Sequence, residues 1–183
     1  MRYASIRSMD ISNGEGVGIS LFVQGCHFYC KGCFNKDTWD FNGGKKWTPE
    51  VEDKFMELAS KPYIKRISLL GGECLADENL DEILSLVNKL RLTLPEKTIW
   101  LYTGYEWEKI MWSRMPHPPH NTSEEFLRWN QRHEIVSKCD VVIDGRYIEE
   151  QRDISLKWRG SSNQRVIDVK KSLEQNEVVL YCD

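Results

Sequence analysis

Four short apolar runs alternate with helical patterns along the 183 residues, and no other feature of the sequence restricts the fold so tightly. The runs are 19–23, 64–70, 98–103 and 140–144, with weaker candidates at 165–169 and 178–181. They are β-branched or aromatic and mostly continuous, as strands covered on both faces are. Helix signals lie between them. Thr48 and Pro49 suit an N-cap and a first helical position, with Val51, Phe55 and Leu58 following at i, i+4 and i+7. Leu80, Ile83, Leu84, Val87 and Leu90 form one stripe that Pro95 stops. A third helical segment covers 105–112, and after a Pro-rich break at 115–120 a fourth starts at Ser123. Its first turn carries Glu124 and Glu125, with Phe126, Trp129, His133 and Val136 on one face. This alternation predicts a parallel sheet with right-handed crossovers. Four to six such units are too few for a closed eight-fold barrel at this length. The expected class is therefore α/β, an open, partial parallel β/α barrel forming a single domain over 1–183. Ligands in such folds bind beyond the C-terminal ends of the strands.

The first of these strands runs into Gly25-Cys26-His27-Phe28-Tyr29-Cys30-Lys31-Gly32-Cys33, a C-x3-C-x2-C array. In a plain helix the three cysteines would share a face and act as small core residues. Gly25 and Gly32 oppose a helix at about 1 kcal/mol each. A straight helix would also hold the outer positions roughly 10 Å apart. A loop folded round a metal centre brings the thiolates together. Structural zinc needs four ligands, so His27 or Cys74 would have to join. An iron–sulfur cube usually takes four thiolates, and three would leave one iron open to a small molecule. A non-catalytic Cys3His zinc site or a simple electron carrier is the rival to such a reactive centre.

Other strand ends carry further candidates. Gly71-Gly72-Glu73 follows the second strand. Its glycines allow close backbone approach, and Glu73 offers an acceptor for an ammonium group, although without the cysteine loop a plain strand-to-helix turn is the favoured reading of these residues. Thr103 and Asp144 end the third and fourth strands, with Arg146 two residues on. A carboxylate and a guanidinium there suit the hydroxyls and carboxylate of a ligand; a surface Asp144–Arg146 pair is the plainer alternative. Asn13-Gly14-Glu15-Gly16-Val17-Gly18 imitates a phosphate loop but precedes its strand, so it reads as a turn.

Composition adds exclusions. With 25 basic and 28 acidic side chains and a net charge of −3, the chain lacks the basic footprint of a nucleic-acid binder. No apolar run approaches the roughly 20 residues that span a bilayer. The N-terminal residues lack the apolar core of a signal peptide. A cytoplasmic protein without disulfides or a membrane anchor is expected.

Through the C-x3-C-x2-C loop after the first strand, the sequence resembles the radical S-adenosylmethionine superfamily. More narrowly it is similar to the anaerobic ribonucleoside-triphosphate reductase activating proteins. The segments that carry this are Asp10-Ile11-Ser12-Asn13-Gly14-Glu15-Gly16, Leu21-Phe22-Val23-Gln24-Gly25-Cys26, Cys30-Lys31-Gly32-Cys33-Phe34-Asn35 and Thr38-Trp39. Further on come Leu70-Gly71-Gly72-Glu73, Trp100-Leu101-Tyr102-Thr103-Gly104-Tyr105, Asp144-Gly145-Arg146 and Trp158-Arg159-Gly160-Ser161-Ser162-Asn163-Gln164. They match in order and spacing over about residues 10 to 165, leaving an insertion at about 111–133 and a tail at about 170–183.

The resemblance implies that Cys26, Cys30 and Cys33 hold three irons of a [4Fe-4S] cluster. The fourth iron would chelate the amino and carboxylate groups of S-adenosylmethionine. One electron, from a low-potential donor such as flavodoxin, would cleave the sulfonium to methionine and a 5′-deoxyadenosyl radical. That radical would take a hydrogen from a backbone glycine of anaerobic ribonucleoside-triphosphate reductase. Another glycyl-radical enzyme, such as pyruvate formate-lyase, is the alternative partner. No general acid or base is required. The resemblance assigns Gly71, Gly72 and Glu73 to the methionine amino group. It sets Gly32 and Phe34 against the adenine, although Phe34 reads equally as a core aromatic. Cys74 stands where the family usually has proline. The segment 158–164 could close the site or meet the partner. His117 and His120 read as solvated, and Cys139 and Cys182 have no assigned role.

Overall fold

The computed structural model describes residues 1–112 and 124–182. The chain runs β1 (Arg2–Asp10), β2 (Gly18–Val23), β3 (Lys45–Lys46), α1 (Pro49–Ala59), β4 (Arg66–Gly71), α2 (Leu80–Thr93) and β5 (Thr98–Tyr102). It continues through α3 (Trp107–Met111), α4 (Glu124–Ser137), β6 (Val141–Asp144), β7 (Arg165–Asp168) and α5 (Val169–Gln175). Among the described residues one sheet holds the seven strands in the order β3-β1-β2-β4-β5-β6-β7, and its end strands β3 and β7 do not pair with each other. It is an open α/β sheet, not a closed barrel.

The central strands β2, β4, β5 and β6 are parallel, as expected of strands joined through helices. The flanks correct the all-parallel expectation: β1 and β7 run antiparallel to the central strands, and β3 pairs antiparallel with β1. The strand β1 escapes sequence reading because most of its side chains are half-buried or exposed, so it shows neither a continuous apolar run nor clean alternation. The expected strand at 178–181 makes only one bridge, Leu180 to Ile167. The helices follow their signals more closely. Thr48 caps α1 through its hydroxyl, which accepts from Val51 N at 3.4 Å, and Pro49 is its first residue. The helix α2 stops at Thr93, ahead of Pro95. Of the face expected on α4, Val136 is buried beside Ile135, while Phe126, Trp129 and His133 are half-buried. The Pro-rich break with His117 and His120 lies outside the described residues. No helix among the described residues is long and apolar enough to cross a membrane.

The two sheet faces are covered differently. Neighbouring residues in register, Leu21, Leu69, Leu101, Val142 and Ile167, all point to one side. There they join Phe55, Ile83, Val87, Trp107 and Ile135 from the helices in a single core. The alternate residues Trp100, Val141, Ile143 and Val166 form a separate, smaller cluster to which no described helix residue belongs. Loops and a cavity cover this inner face. The apolar runs are thus continuous because both faces are shielded, but helices shield only one.

The floor of the inner face is fixed by a buried charge. Arg66 is fully buried at the start of β4. Its guanidinium donates to the Asp10, Glu15 and Gly16 carbonyls at 2.8, 3.2 and 3.1 Å and pairs with the Asp10 carboxylate at 3.4 Å. Ser68 adds a bond to Asn13 O at 2.7 Å. The turn 11–17 is thereby pressed onto the sheet; a Cβ on Gly14 would lie 2.5 Å from Arg66 Cδ. The tail closes the same end. Tyr181 N donates to Val166 O at 2.8 Å, its ring packs 5.2 Å from that of Trp100, and its hydroxyl donates to the Glu15 carboxylate.

Burial pushes the Asp10 carboxyl up, but bonds from the Asn13 and Ser12 N–H groups and the Asn13 amide outweigh it and leave the carboxyl below its ordinary value. A depressed pKa contributes stability above about pH 4 that is lost as the pH falls through the folded value. Arg66→Met strands this carboxylate and is expected to cost about 3 kcal/mol in urea unfolding at pH 7. In Asp10→Asn the acid-side loss of stability should be correspondingly smaller than in the wild type.

Candidate cofactor site

The cysteine segment leaves β2 as an irregular loop, not a helix. Three left-handed residues, Gly25 (φ +94°), Tyr29 (φ +48°) and Gly32 (φ +73°), turn it back on itself. Its base is held by backbone bonds: Gly25 N to Thr38 O at 2.8 Å and Cys26 N to Trp39 O at 3.0 Å. Its tip is tied by Lys31 to Glu149 at 3.1 Å.

Gly71-Gly72 forms the other half of that base. Gly72 N donates to Val23 O at 2.9 Å, and Glu73 N to Gly25 O at 2.7 Å. A Cβ on Gly72 would stand 2.3 Å from Gly25 O, so the two backbones meet where no side chain fits. These glycines therefore serve the close approach of two chain segments as well as lining the cavity.

Cys26, Cys30 and Cys33 all line one cavity of about 640 Å³ on the inner face, beyond the C-terminal ends of the parallel strands. All three thiols are free and half-buried. Burial pushes the Cys26 thiol up to about 11, opposed by the N–H groups of Phe28 and Tyr29. Burial likewise raises Cys30, against a bond from Tyr147 N–H. Asn35 N donates to Cys33 Sγ at 3.4 Å. Each sulfur thus has a backbone N–H aimed at it, the arrangement that stabilises thiolates on an iron–sulfur cluster. Among the described residues no three His, Cys, Asp or Glu side chains gather closely enough to hold a single ion. The proposed extra ligands lie elsewhere. Cys74 is fully buried in the helix-side core, with its thiol pushed well up by burial, and His27 turns its ring to Tyr105, Nε2 to OH 3.3 Å.

Glu73 lies on the cavity wall but is almost wholly buried. Its Oε1 accepts from Thr103 Oγ1 and Leu75 N, both at 2.8 Å, and its Oε2 from Gly104 N at 2.8 Å. Burial raises this carboxyl to about 6, against those bonds. It links the ends of β4 and β5, and Oε2 keeps a lone-pair site for a further donor.

Gly71, Gly72, Glu73, Thr103, Phe34 and Arg146 share the cavity wall with the cysteines. Gly32 is exposed beside it, packed on Glu149. Asp144 does not join them. It lines a neighbouring cavity, is paired with Arg165 instead of Arg146, and accepts from Trp107 N at 2.8 Å at the start of α3. Arg146 instead lays its guanidinium 4.4 Å from the Phe28 ring centre. Phe34 is 65% exposed at the rim, edge-on to Tyr147 at 5.6 Å, and is no core residue. The wall also includes Asn13, Phe28 and Tyr102, given no site role from sequence, and Trp158, Arg159 and Gln164 of the segment read as closing the site or meeting the partner. For Tyr102 the signal was the strand alternation: once Ile99 and Leu101 face helices, Trp100 and Tyr102 must face inward.

Comparison with known proteins agrees with this geometry. A family described as a 4Fe-4S single cluster domain matches residues 12–167. The loop and this match define an iron–sulfur domain. The anaerobic ribonucleoside-triphosphate reductase-activating protein of Salmonella typhi is 37% identical over 168 residues, which is 91% of this chain and 97% of that protein. The protein of the same name from Vibrio cholerae is 37% identical over 166 residues, 90% and 96% of the two chains. That of Enterobacteria phage T4 is 36% identical over 166 residues, 91% and 93%. The chain belongs to the anaerobic ribonucleoside-triphosphate reductase-activating protein family.

Gly72→Ala forces a methyl into the Gly25 backbone. It should lower stability by about 1–3 kcal/mol in urea unfolding and reduce the iron bound after anaerobic reconstitution.

Proposed function

We propose that this chain is a radical S-adenosylmethionine activase that generates a glycyl radical on anaerobic ribonucleoside-triphosphate reductase. The observation that carries the reading is the set of three thiols, each met by a backbone N–H, on the wall of an inner-face cavity. The names of the relatives supply the partner. Parallel strands with helices outside and a cavity inside support a partial barrel of the radical S-adenosylmethionine type, working as one domain over 1–183 in the cytoplasm.

In this reading Cys26, Cys30 and Cys33 hold a [4Fe-4S] cluster, whose positive iron overcomes the burial that keeps the free Cys26 and Cys30 thiols protonated. When bound, the cluster and S-adenosylmethionine together supply a one-electron reductive cleavage whose carbon radical can remove a hydrogen. The chain's own residues bind and orient. The Gly71 and Gly72 backbone and the open site on Glu73 Oε2 receive the ligand's ammonium, while Thr103 fixes the Glu73 rotamer. Arg146, steadied on Phe28, meets the ligand carboxylate, and Gly32 and Phe34 approach the adenine. Asp144 acts from behind, holding Arg165 and the start of α3. Trp158 and its neighbours exclude water from the inner face. A low-potential donor such as flavodoxin supplies the electron.

Anaerobic reconstitution with iron and sulfide, then reduction with S-adenosylmethionine, should yield 5′-deoxyadenosine, and with the reductase present a glycyl-radical EPR signal. Zinc in place of iron, or a cluster whose EPR spectrum ignores S-adenosylmethionine, would sink the reading. Alanine at Cys26, Cys30 or Cys33 should each abolish cluster binding. Cys74→Ala should retain the full iron content, because that thiol packs in the core and not at the cavity.

A further inference from the structure

Two hydrogen-bond donors on the cavity wall are buried and have no acceptor. One is the Tyr102 hydroxyl, on the inner face at the end of β5. The other is Arg159 Nε, in the segment that also brings Trp158 and Gly160 to the wall. An unmet buried donor costs about 1–3 kcal/mol, so each such group calls for a partner that arrives from outside the chain. Other donors on that wall are spent, Thr103 Oγ1 and Gly104 N on Glu73 and the Asn13 amide on Asp10, while Ser20 Oγ and Arg66 Nε, which also lack acceptors, lie beneath the sheet's inner face and off the cavity wall. Burial pushes the Tyr102 phenol above its ordinary range, so it remains protonated and able to donate.

The chemistry of the protein substrate indicates which acceptors fit. On the reading that a hydrogen leaves a backbone glycine, the residue that must be placed most accurately has no side chain to grip. It can be held only through its backbone and that of its neighbours. Peptide carbonyls accept from a phenol and from a guanidinium N–H. The mouth suits a polypeptide too, since Phe34 lies exposed at the rim beside Tyr147. We propose that Tyr102 and Arg159 bind backbone carbonyls of the glycine-bearing segment of the reductase, so that this inner pocket is the peptide subsite of the activase. The assignment rests on the functional reading above.

Tyr102→Phe removes only the hydroxyl, and Arg159→Lys removes the Nε–H while keeping the charge. Each should retain the iron content and the change that S-adenosylmethionine makes in the cluster's EPR spectrum. Each should raise the KM for the reductase in the glycyl-radical assay about tenfold, with a matching loss of reductase affinity by anaerobic titration calorimetry; tenfold corresponds to about 1.4 kcal/mol, the size of one hydrogen bond. Loss of the ligand-induced EPR change in either variant would assign that donor to S-adenosylmethionine and overturn the proposal. An unchanged KM and affinity in both variants would overturn it as well. Wild-type protein that makes 5′-deoxyadenosine but installs no radical on the reductase would instead overturn the functional reading, and the subsite with it.

Discussion

The contact between two stretches of bare backbone underlies everything else in the site. At the ends of β2 and β4, Gly72 and Glu73 donate to Val23 and Gly25 at 2.9 and 2.7 Å, with no room for a Cβ on Gly72. This junction fixes the root of the cysteine loop to the sheet. Because Glu73 follows at once, the same junction sets a buried carboxylate under the loop. That carboxylate reaches Thr103 and Gly104 and so binds the end of β5 as well. Three strand ends are locked together by groups that cost little conformational freedom once the sheet has formed.

The rest of the inner face follows from how the sheet is covered. Helices take one side because the in-register residues Leu21, Leu69, Leu101 and Val142 offer them a continuous apolar surface. The other side mixes Ser20, Ser68 and Arg66 with aromatics, and is sealed at its floor by the Arg66-bound turn and by Tyr181. A buried arginine with a single carboxylate partner is expensive unless its other N–H groups are satisfied. Here three backbone carbonyls accept from its two terminal nitrogens, while Nε has no partner. The cavity therefore has a firm floor and a polar wall, and opens toward the cysteines.

Much of this could be read from residues alone, and the failures have physical causes. The buried strands β2, β4, β5 and β6 were visible because both of their faces are dry. The strand β1 was not, since its partly wet side chains carry no periodic signal. The three cysteines announced an irregular loop in place of a helix, through their spacing and the glycines beside them. Asp144 was placed correctly at a strand end, but sequence could not say that Arg165, 21 residues away, would take its carboxylate. Phe34 likewise gave no sign of whether it would be covered; only its neighbours decide that, and they leave it at the rim.

The sequence by itself determined the helices α1 and α2, the parallel strands β2, β4, β5 and β6 and the three-thiol loop, because these depend on local periodicity and on residue spacing within a few turns of chain. Only the tertiary structure decided which sheet face lies open, that Cys74 faces the core, and that Tyr102 and Arg159 are left without acceptors. Those outcomes depend on strand register and on loops closing over one face. Such contacts between distant residues leave no periodic trace in the order of the amino acids.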